Sequence, residues 1–205
     1  MLRPTDLPFI IKICGITNEE DARAAVEAGA NALGFNFYEK SPRYVTVARA
    51  REIIDSVPGD YLKVGIFVDP AVDELNAAPA DVVQLYGEWR PEFAGLTVWK
   101  ATTPKETQRF CPAEAYVMDT PSPAFGGSGE MFDWTLARGR NRVIIAGGLD
   151  GSNVAAAIAT AKPWGVDACS RLESRPGKKD ERKVAEFVST ARQAFLTRLQ
   201  QEVSL

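Results

Sequence analysis

Three places in the sequence combine residue types that can do acid–base and anion chemistry. Cys14 ends an apolar run at Lys12-Ile13-Cys14-Gly15, Asp119 ends another at Met118-Asp119-Thr120-Pro121, and Ala146-Gly147-Gly148-Leu149 ends a third. The chain has no histidine. That removes the commonest general base, every Ser-His-Asp or Cys-His arrangement and the commonest zinc ligand. Acid–base work therefore falls to Asp, Glu, Cys, Lys or Tyr. Cys14 is a candidate base or nucleophile; the plain alternative is a small buried hydrophobe. Asp119 is a candidate proton donor; the alternative is a turn or N-cap aspartate. Arg43, in Ser41-Pro42-Arg43-Tyr44, can clamp a carboxylate with its planar fork or simply sit solvated on the surface. Gly147 and Gly148 precede a helix, and Ser170-Arg171 begins a short one. Such helix starts offer free amides to a phosphate; the plain alternative for the glycines is a tight βα turn, and their place after strand seven favours phosphate. The segment Phe125-Gly126-Gly127-Ser128-Gly129 reads as a lid, as amides facing an anion, or as a flexible loop. Asp69, Gln84 and Lys100 also lie at or near strand ends.

The elements that must position these residues alternate. Short runs rich in Val, Ile and aromatics, bounded by Gly, Pro, Asp or Thr, predict strands at 9–13, 31–37, 61–68, 81–85, 97–101, 115–118, 142–146 and 165–168. Thr17-Asn18-Glu19-Glu20 reads as a capping box with Thr17 at the N-cap; Ala22, Ala25 and Val26 follow on one face and Gly29 closes the helix. Val47, Ala50, Ile54 and Val57 predict a second helix, stopped by Pro58-Gly59. A third is capped by Ser152, turns Val154, Ala157, Ile158 and Ala161 inward, and ends at Pro163. A last helix over about 180–202 carries Val184, Phe187, Val188, Ala191 and Phe195. Helices after strands three to six are weaker and short.

Repeated strand–helix alternation means parallel pairing with right-handed crossovers, in an open doubly wound sheet or a closed (β/α)8 barrel. Eight strands of ~5 residues, eight helices of ~10 and connections of ~4 come to about 180–190 residues. The 205 residues present fit a barrel of minimal length. Neither GxGxxG after the first strand nor GxxxxGK[ST] occurs, so the barrel is preferred. No domain boundary or low-complexity linker appears, so one domain spanning 1–205 is expected. In a barrel, function sits at the C-terminal strand ends, where the residues above fall.

Composition narrows the classes. With 45% hydrophobic and 25% charged residues the chain is ordinary globular protein. A net charge of −3 argues against a nucleic-acid partner, which needs clustered Lys and Arg. No apolar run approaches the ~20 residues of a membrane span. The N-terminal residues lack a signal-peptide core, so a cytoplasmic protein is expected. Cys14, Cys111 and Cys169 are far apart and form no CxxC pair, so no disulfide framework or zinc knuckle is suggested.

Seven stretches together resemble the phosphoribosylanthranilate isomerases of tryptophan biosynthesis. They are KICGIT (12–17), ALGFNFYEKSPRYV (32–45), VGIFVD (64–69), VVQLYGE (82–88), DTPSPAFGGSGEMFDW (119–134), IIAGGLDGSNV (144–154) and GVDACSRLESRPGKKD (165–180). The resemblance implies a (β/α)8 barrel, an isomerase with no metal and no organic cofactor. It would convert N-(5-phosphoribosyl)anthranilate to 1-(2-carboxyphenylamino)-1-deoxyribulose 5-phosphate, an Amadori rearrangement. The implied partner is that small phosphosugar-anthranilate, with no nucleic acid and no membrane, for a monomer or a homodimer. Cys14 falls at the family's general base and Asp119 at its general acid. Arg43 falls at the arginine holding the anthranilate carboxylate; Gly147, Gly148, Ser170 and Arg171 fall at the phosphate cradle. The acid would protonate the ring oxygen, and the base would remove the C2′ proton of the Schiff base. At an ordinary thiol pKa of ~8.5 only about 3% of Cys14 would be thiolate at neutral pH, so the site is expected to raise that fraction. Asp119 must stay protonated well above ~3.9, which burial can achieve.

Two places depart from the family pattern. Cys169-Ser170-Arg171 stands where Ser-Ser-Gly is usual, and Tyr86 where histidine is common. The alternatives are another phosphosugar barrel enzyme, a lyase or epimerase, and a non-catalytic phosphosugar-binding barrel. Alternation finally predicts that Lys12 and Asp167 both point inward beneath Cys14 and Cys169. Two isolated charges there would be costly, so they are expected to pair.

Overall fold

Eight parallel strands close on themselves in chain order, β1 beside β8, as the alternation requires. They are β1 (Ile10–Ile13), β2 (Ala32–Asn36), β3 (Leu62–Val68), β4 (Val82–Tyr86), β5 (Val98–Thr102), β6 (Ala115–Met118), β7 (Val143–Ile145) and β8 (Gly165–Ala168). This computed structural model describes residues 2–106, 112–120 and 131–203. The five α-helices among them are α1 (Glu19–Ala28), α2 (Val47–Ser56), α3 (Val72–Ala77), α4 (Val154–Ala161) and α5 (Glu181–Val203). Among the described residues there are thus fewer full helices than strands. Only the six-residue α3 and 3₁₀ turns at Pro91–Phe93 and Trp134–Ala137 follow strands three to six in the described residues. Cys111 and the segment 125–129 lie outside the described residues.

Strand periodicity sorts side chains into a barrel interior and an outer layer between the strands and the surrounding elements. Ile10, Leu62, Val64, Val82, Trp99, Val117 and Ile144 fill the barrel interior. Ile11, Ile13, Leu33 and Ile145 point outward against the helices, together with Val184, Phe187, Val188, Ala191 and Phe195 of α5. The ring of Phe9 stacks on Phe195 at 4.7 Å, tying α5 to the base of β1. Inside, Trp99 meets Trp164 edge-on at 5.9 Å. Leu2, Leu7 and Trp164 pack against that interior cluster, close to the N-terminal end of β8.

Two expected caps shift by one residue. The N-cap of α1 is Asn18, whose side chain accepts from the Asp21 N–H, while Thr17 Oγ1 donates to the Gly177 carbonyl at 2.6 Å. Thr17 is recruited by a distant loop and leaves the local role to its neighbour. The N-cap of α4 is Asn153, not Ser152; Ser152 instead closes a turn with Asp150. In α2 the buried positions are Ala50 and Ile53, with Ile54 only half-buried. Gly29 ends α1 in the left-handed region at φ 99°, where a side chain would be strained.

After β8, a 3₁₀ turn at Ser170–Leu172 leads into an antiparallel hairpin of β9 (Glu173–Arg175) and β10 (Lys178–Lys179). The hairpin folds back over the C-terminal mouth of the barrel and buries Glu173 and Lys179 there.

Candidate active site

β1 and β8 pair in the register Lys12↔Asp167 and Ile13↔Ala168, so Cys14 and Cys169 are the next lateral neighbours. The Cys14 N–H donates to the Ala168 carbonyl at 2.9 Å, which carries the register one step beyond the strands. One pocket at this mouth is lined by Cys14, Arg43, Gln84, Tyr86, Asp119, Gly147, Gly148, Asp167, Cys169, Ser170 and Arg171. Every sequence-predicted site residue is therefore brought to one cavity.

Beneath it Lys12 Nζ meets Asp167 Oδ2 at 2.7 Å, both fully or nearly fully buried. Burial would strip Lys12 of its proton, but the Asp167 charge outweighs burial and holds the ammonium above its ordinary range. Asp167 Oδ1 and Gln84 Oε1 are buried acceptors without a hydrogen-bond partner among the described residues. Hydroxyl or N–H donors of a bound molecule would satisfy both, and an unsatisfied buried acceptor costs ~1–3 kcal/mol.

Asp119 sits just past the end of β6, its Oδ1 accepting from the Thr120 N–H at 2.7 Å. Burial, assisted by the negative charge of Asp167, raises its carboxyl to about 7. That is the perturbation an acid needs to hold its proton near neutrality. Gly147 and Gly148 turn through φ 80° and 62° beside it. A Cβ on Gly147 would lie 2.6 Å from Asp119 Oδ1, so only glycine lets this turn approach the acid. Asn153 Nδ2 donates to the Gly148 carbonyl at 2.8 Å and fixes the turn over α4.

Two expectations change. Arg43 is not a solvated surface residue; its Nε and Nη2 form a fork with Glu173 at 3.1 and 2.6 Å. The carboxylate it clamps here belongs to the chain itself, and the Nη1 side of the guanidinium is left for a second acceptor. Nor is Cys14 the easily ionised thiol. The hydrogen bond to Cys169 and burial push Cys14 up, well above the ordinary range. Cys169 moves the other way, down to about 6, through the bond to Cys14 and against burial, with Lys179 assisting. The two thiols are thus pushed in opposite directions by the groups around them.

The sequence marks Cys169 only as a departure and does not single out Glu173 or Lys179. Lys179 Nζ lies 3.1 Å from Glu173 Oε1 and 3.7 Å from Cys169 Sγ. Their only signal is a charged stretch that reads like any surface turn. The Arg171 departure is accommodated: its backbone is 3₁₀-helical and needs no glycine, and Nη1 pairs with Asp150 at 2.8 Å. Tyr86 puts its hydroxyl 3.4 Å from Gln84 Nε2 in the same pocket.

Fold and site together define a (β/α)8 barrel whose functional pocket lies at the C-terminal mouth of its strands. Residues 11–190 match the family model described as N-(5'phosphoribosyl)anthranilate (PRA) isomerase, and the chain belongs to that family. An N-(5'-phosphoribosyl)anthranilate isomerase of Solibacter usitatus is 49% identical over 200 residues, 91% of this chain and 99% of that protein. The crystal structure of phosphoribosyl anthranilate isomerase from Thermotoga maritima superposes with a TM-score of 0.78 at 34% identity, covering 90% of this chain and 99% of the other. Another solved structure of the enzyme, in complex with reduced 1-(o-carboxyphenylamino)-1-deoxyribulose 5-phosphate, matches at a TM-score of 0.73 and 31% identity over 90% of this chain and 99% of that one.

Proposed function

We propose that Cys14 and Asp119 are the base and the acid with which this chain isomerises N-(5'-phosphoribosyl)anthranilate. The activity follows from the family: the chain is an isomerase of tryptophan biosynthesis. The observation that supports the two roles is a carboxyl raised to about 7, sharing one pocket with the strand-one thiol. Asp119 protonates the ring oxygen of the aminosugar, which opens the ring to a Schiff base. The Cys14 thiolate then removes the C2′ proton, and the enamine so formed tautomerises to the ketose amine. The first two steps move protons held at Asp119 and at C2′; in the last, C1′ gains a proton as the C2′ hydroxyl loses one, so the whole reaction is proton transfer.

Binding divides between two anionic ends. The relative whose structure holds the reduced product carries a phosphate and a carboxylate on one ligand. For this chain the phosphate is assigned to the Gly147-Gly148 turn and Ser170-Arg171, where glycine backbone and a 3₁₀ start expose amides. The carboxylate is assigned to the Nη1 side of Arg43, beside its bond to Glu173. A fluorescence assay following loss of phosphoribosylanthranilate tests the activity; no turnover by the folded chain would refute it, and turnover of another phosphosugar would favour the lyase or epimerase reading.

A further inference from the structure

We propose that Cys169 is a positioning residue for the base: it shares one proton with Cys14 and carries the pair's negative charge in the resting site. This rests on the reading of Cys14 as the base. The geometry is a lateral pair across β1 and β8 whose two sulfurs face very different charges. Around Cys14 stand Lys12 and Asp167, bonded to each other at 2.7 Å, so that side is balanced. Around Cys169 stand Lys179 at 3.7 Å, the Glu173 carboxylate, whose Oε1 accepts from the Cys169 thiol at 3.9 Å, and Arg43. Glu173 is hydrogen-bonded to both cations, at 3.1 Å to Lys179 Nζ and at 2.6 and 3.1 Å to Arg43. Two cations against one carboxylate leave one positive charge in a buried cluster, and a lone buried charge is costly. A thiolate at Cys169 neutralises it. Tyr86 and Asp119 also face the pair across the pocket. Both stay protonated where the pair first ionises, since burial pushes the Tyr86 hydroxyl well up and the Asp119 carboxyl to about 7.

The consequence is a tautomeric equilibrium. In one form Cys14 is a thiol donating to the Cys169 thiolate. In the other the proton has crossed to Cys169, and Cys14 is the thiolate that can accept the substrate proton. No proton enters or leaves the site in this exchange, so above the first ionisation of the pair the supply of Cys14 thiolate no longer depends on pH. A substrate anion arriving at Ser170, next in sequence to Cys169, repels the resting charge and favours the second form. The base is then strengthened by the substrate it acts on. A serine at 169 could still donate a hydrogen bond but could not hold the charge.

Peptide-resolved initial rates of iodoacetamide alkylation against pH test this in the intact chain, without relying on turnover. Each cysteine's midpoint is read separately, so access to the reagent alters amplitude and not position. The native chain is expected to show Cys169 alkylated with a midpoint near about 6. Cys169→Ser is expected to move the Cys14 midpoint up by about one pH unit or more, toward or past the ordinary ~8.5. The acid limb of kcat/KM in the same variant should move up with it. A Cys169 midpoint at ~8.5 or higher would overturn the proposal. So would a Cys169→Ser profile merely lowered at every pH without a shift, since a packing role predicts that. Failure of the Cys14 reading looks different: Cys14→Ala would keep its kcat, whatever the alkylation midpoints.

Discussion

The two ends of the barrel interior are built from the same eight strands and do opposite things. At the N-terminal end Trp99, Ile10, Leu62 and Val82 close the barrel with apolar side chains, and the Trp164 indole lies across them. At the C-terminal end the inward positions are Lys12, Gln84, Asp167 and the two cysteines, with Asp119 beyond β6. The floor spends its positions on packing. The mouth holds buried charge, which stabilises little by itself and leaves acceptors unpaired. Stability and chemistry are thus separated along the barrel axis, and a residue's height decides which one it serves.

Substitutions at the mouth and the floor should therefore separate cleanly in their readouts. The largest effect is expected for Cys14→Ala and Asp119→Asn, each lowering kcat by about 10²–10⁴-fold, the usual contribution of a general acid or base. Thermal unfolding of both variants should stay near that of the native chain; a native kcat in either would remove that residue from the mechanism. At the floor, Trp99→Ala empties a fully buried site and should destabilise by about 3–5 kcal/mol, read in a denaturant titration. The kcat of the fraction that remains folded should be unchanged.

Lys12→Met is the substitution that tests the separation itself, since Lys12 points into the barrel just beneath the pocket and is fully buried. It leaves Asp167 buried without its ion-pair partner and should cost about 3–5 kcal/mol in the same titration. A cost well below 1 kcal/mol would mean that Asp167 is neutralised in another way.

Arg43→Met should be milder, because Glu173 keeps Lys179 at 3.1 Å. The loss of a charged hydrogen bond to substrate, about 1.5–3 kcal/mol, should appear as a KM raised about 10–150-fold with kcat nearly kept. An unchanged KM would assign Arg43 wholly to Glu173.

The smallest effect is in the pH profile. The acid works only while protonated, so activity falls as pH rises through the Asp119 value of about 7. The base works only once the cysteine pair has lost a proton, so activity rises through about 6. The signs are opposite, and kcat/KM should trace a narrow bell between them. Asp119→Asn should remove the alkaline limb from whatever activity remains.

Much of this architecture is legible in the order of residues. Alternating apolar runs place all eight strands, because a strand buried on both faces must be apolar and short. That Lys12 and Asp167 pair, directly or through water, is expected from the sequence, because period-two alternation and closure of β1 on β8 turn both inward side by side. The short crossovers after strands three to six show as weak helical patterns. The caps of α1 and α4 each lie one residue beyond the expected position. At α1, Thr17 and Asn18 are equally able caps, and only the Gly177 carbonyl decides between them.

What sequence alone determined is local or periodic: the strands, the amphipathic helices, the thiol and carboxyl at strand ends, and with them the barrel and its family. What tertiary structure decided is which charges meet. Arg43 and Glu173 are 130 positions apart, and Lys179, on β10, lies 3.7 Å from the Cys169 sulfur and 3.1 Å from Glu173. Coulomb energy depends on distance and burial, and neither is written in the order of residues. Hence the thiol pushed down is Cys169, beside Lys179 and Arg43, and the one pushed up is Cys14, beside the Lys12–Asp167 pair.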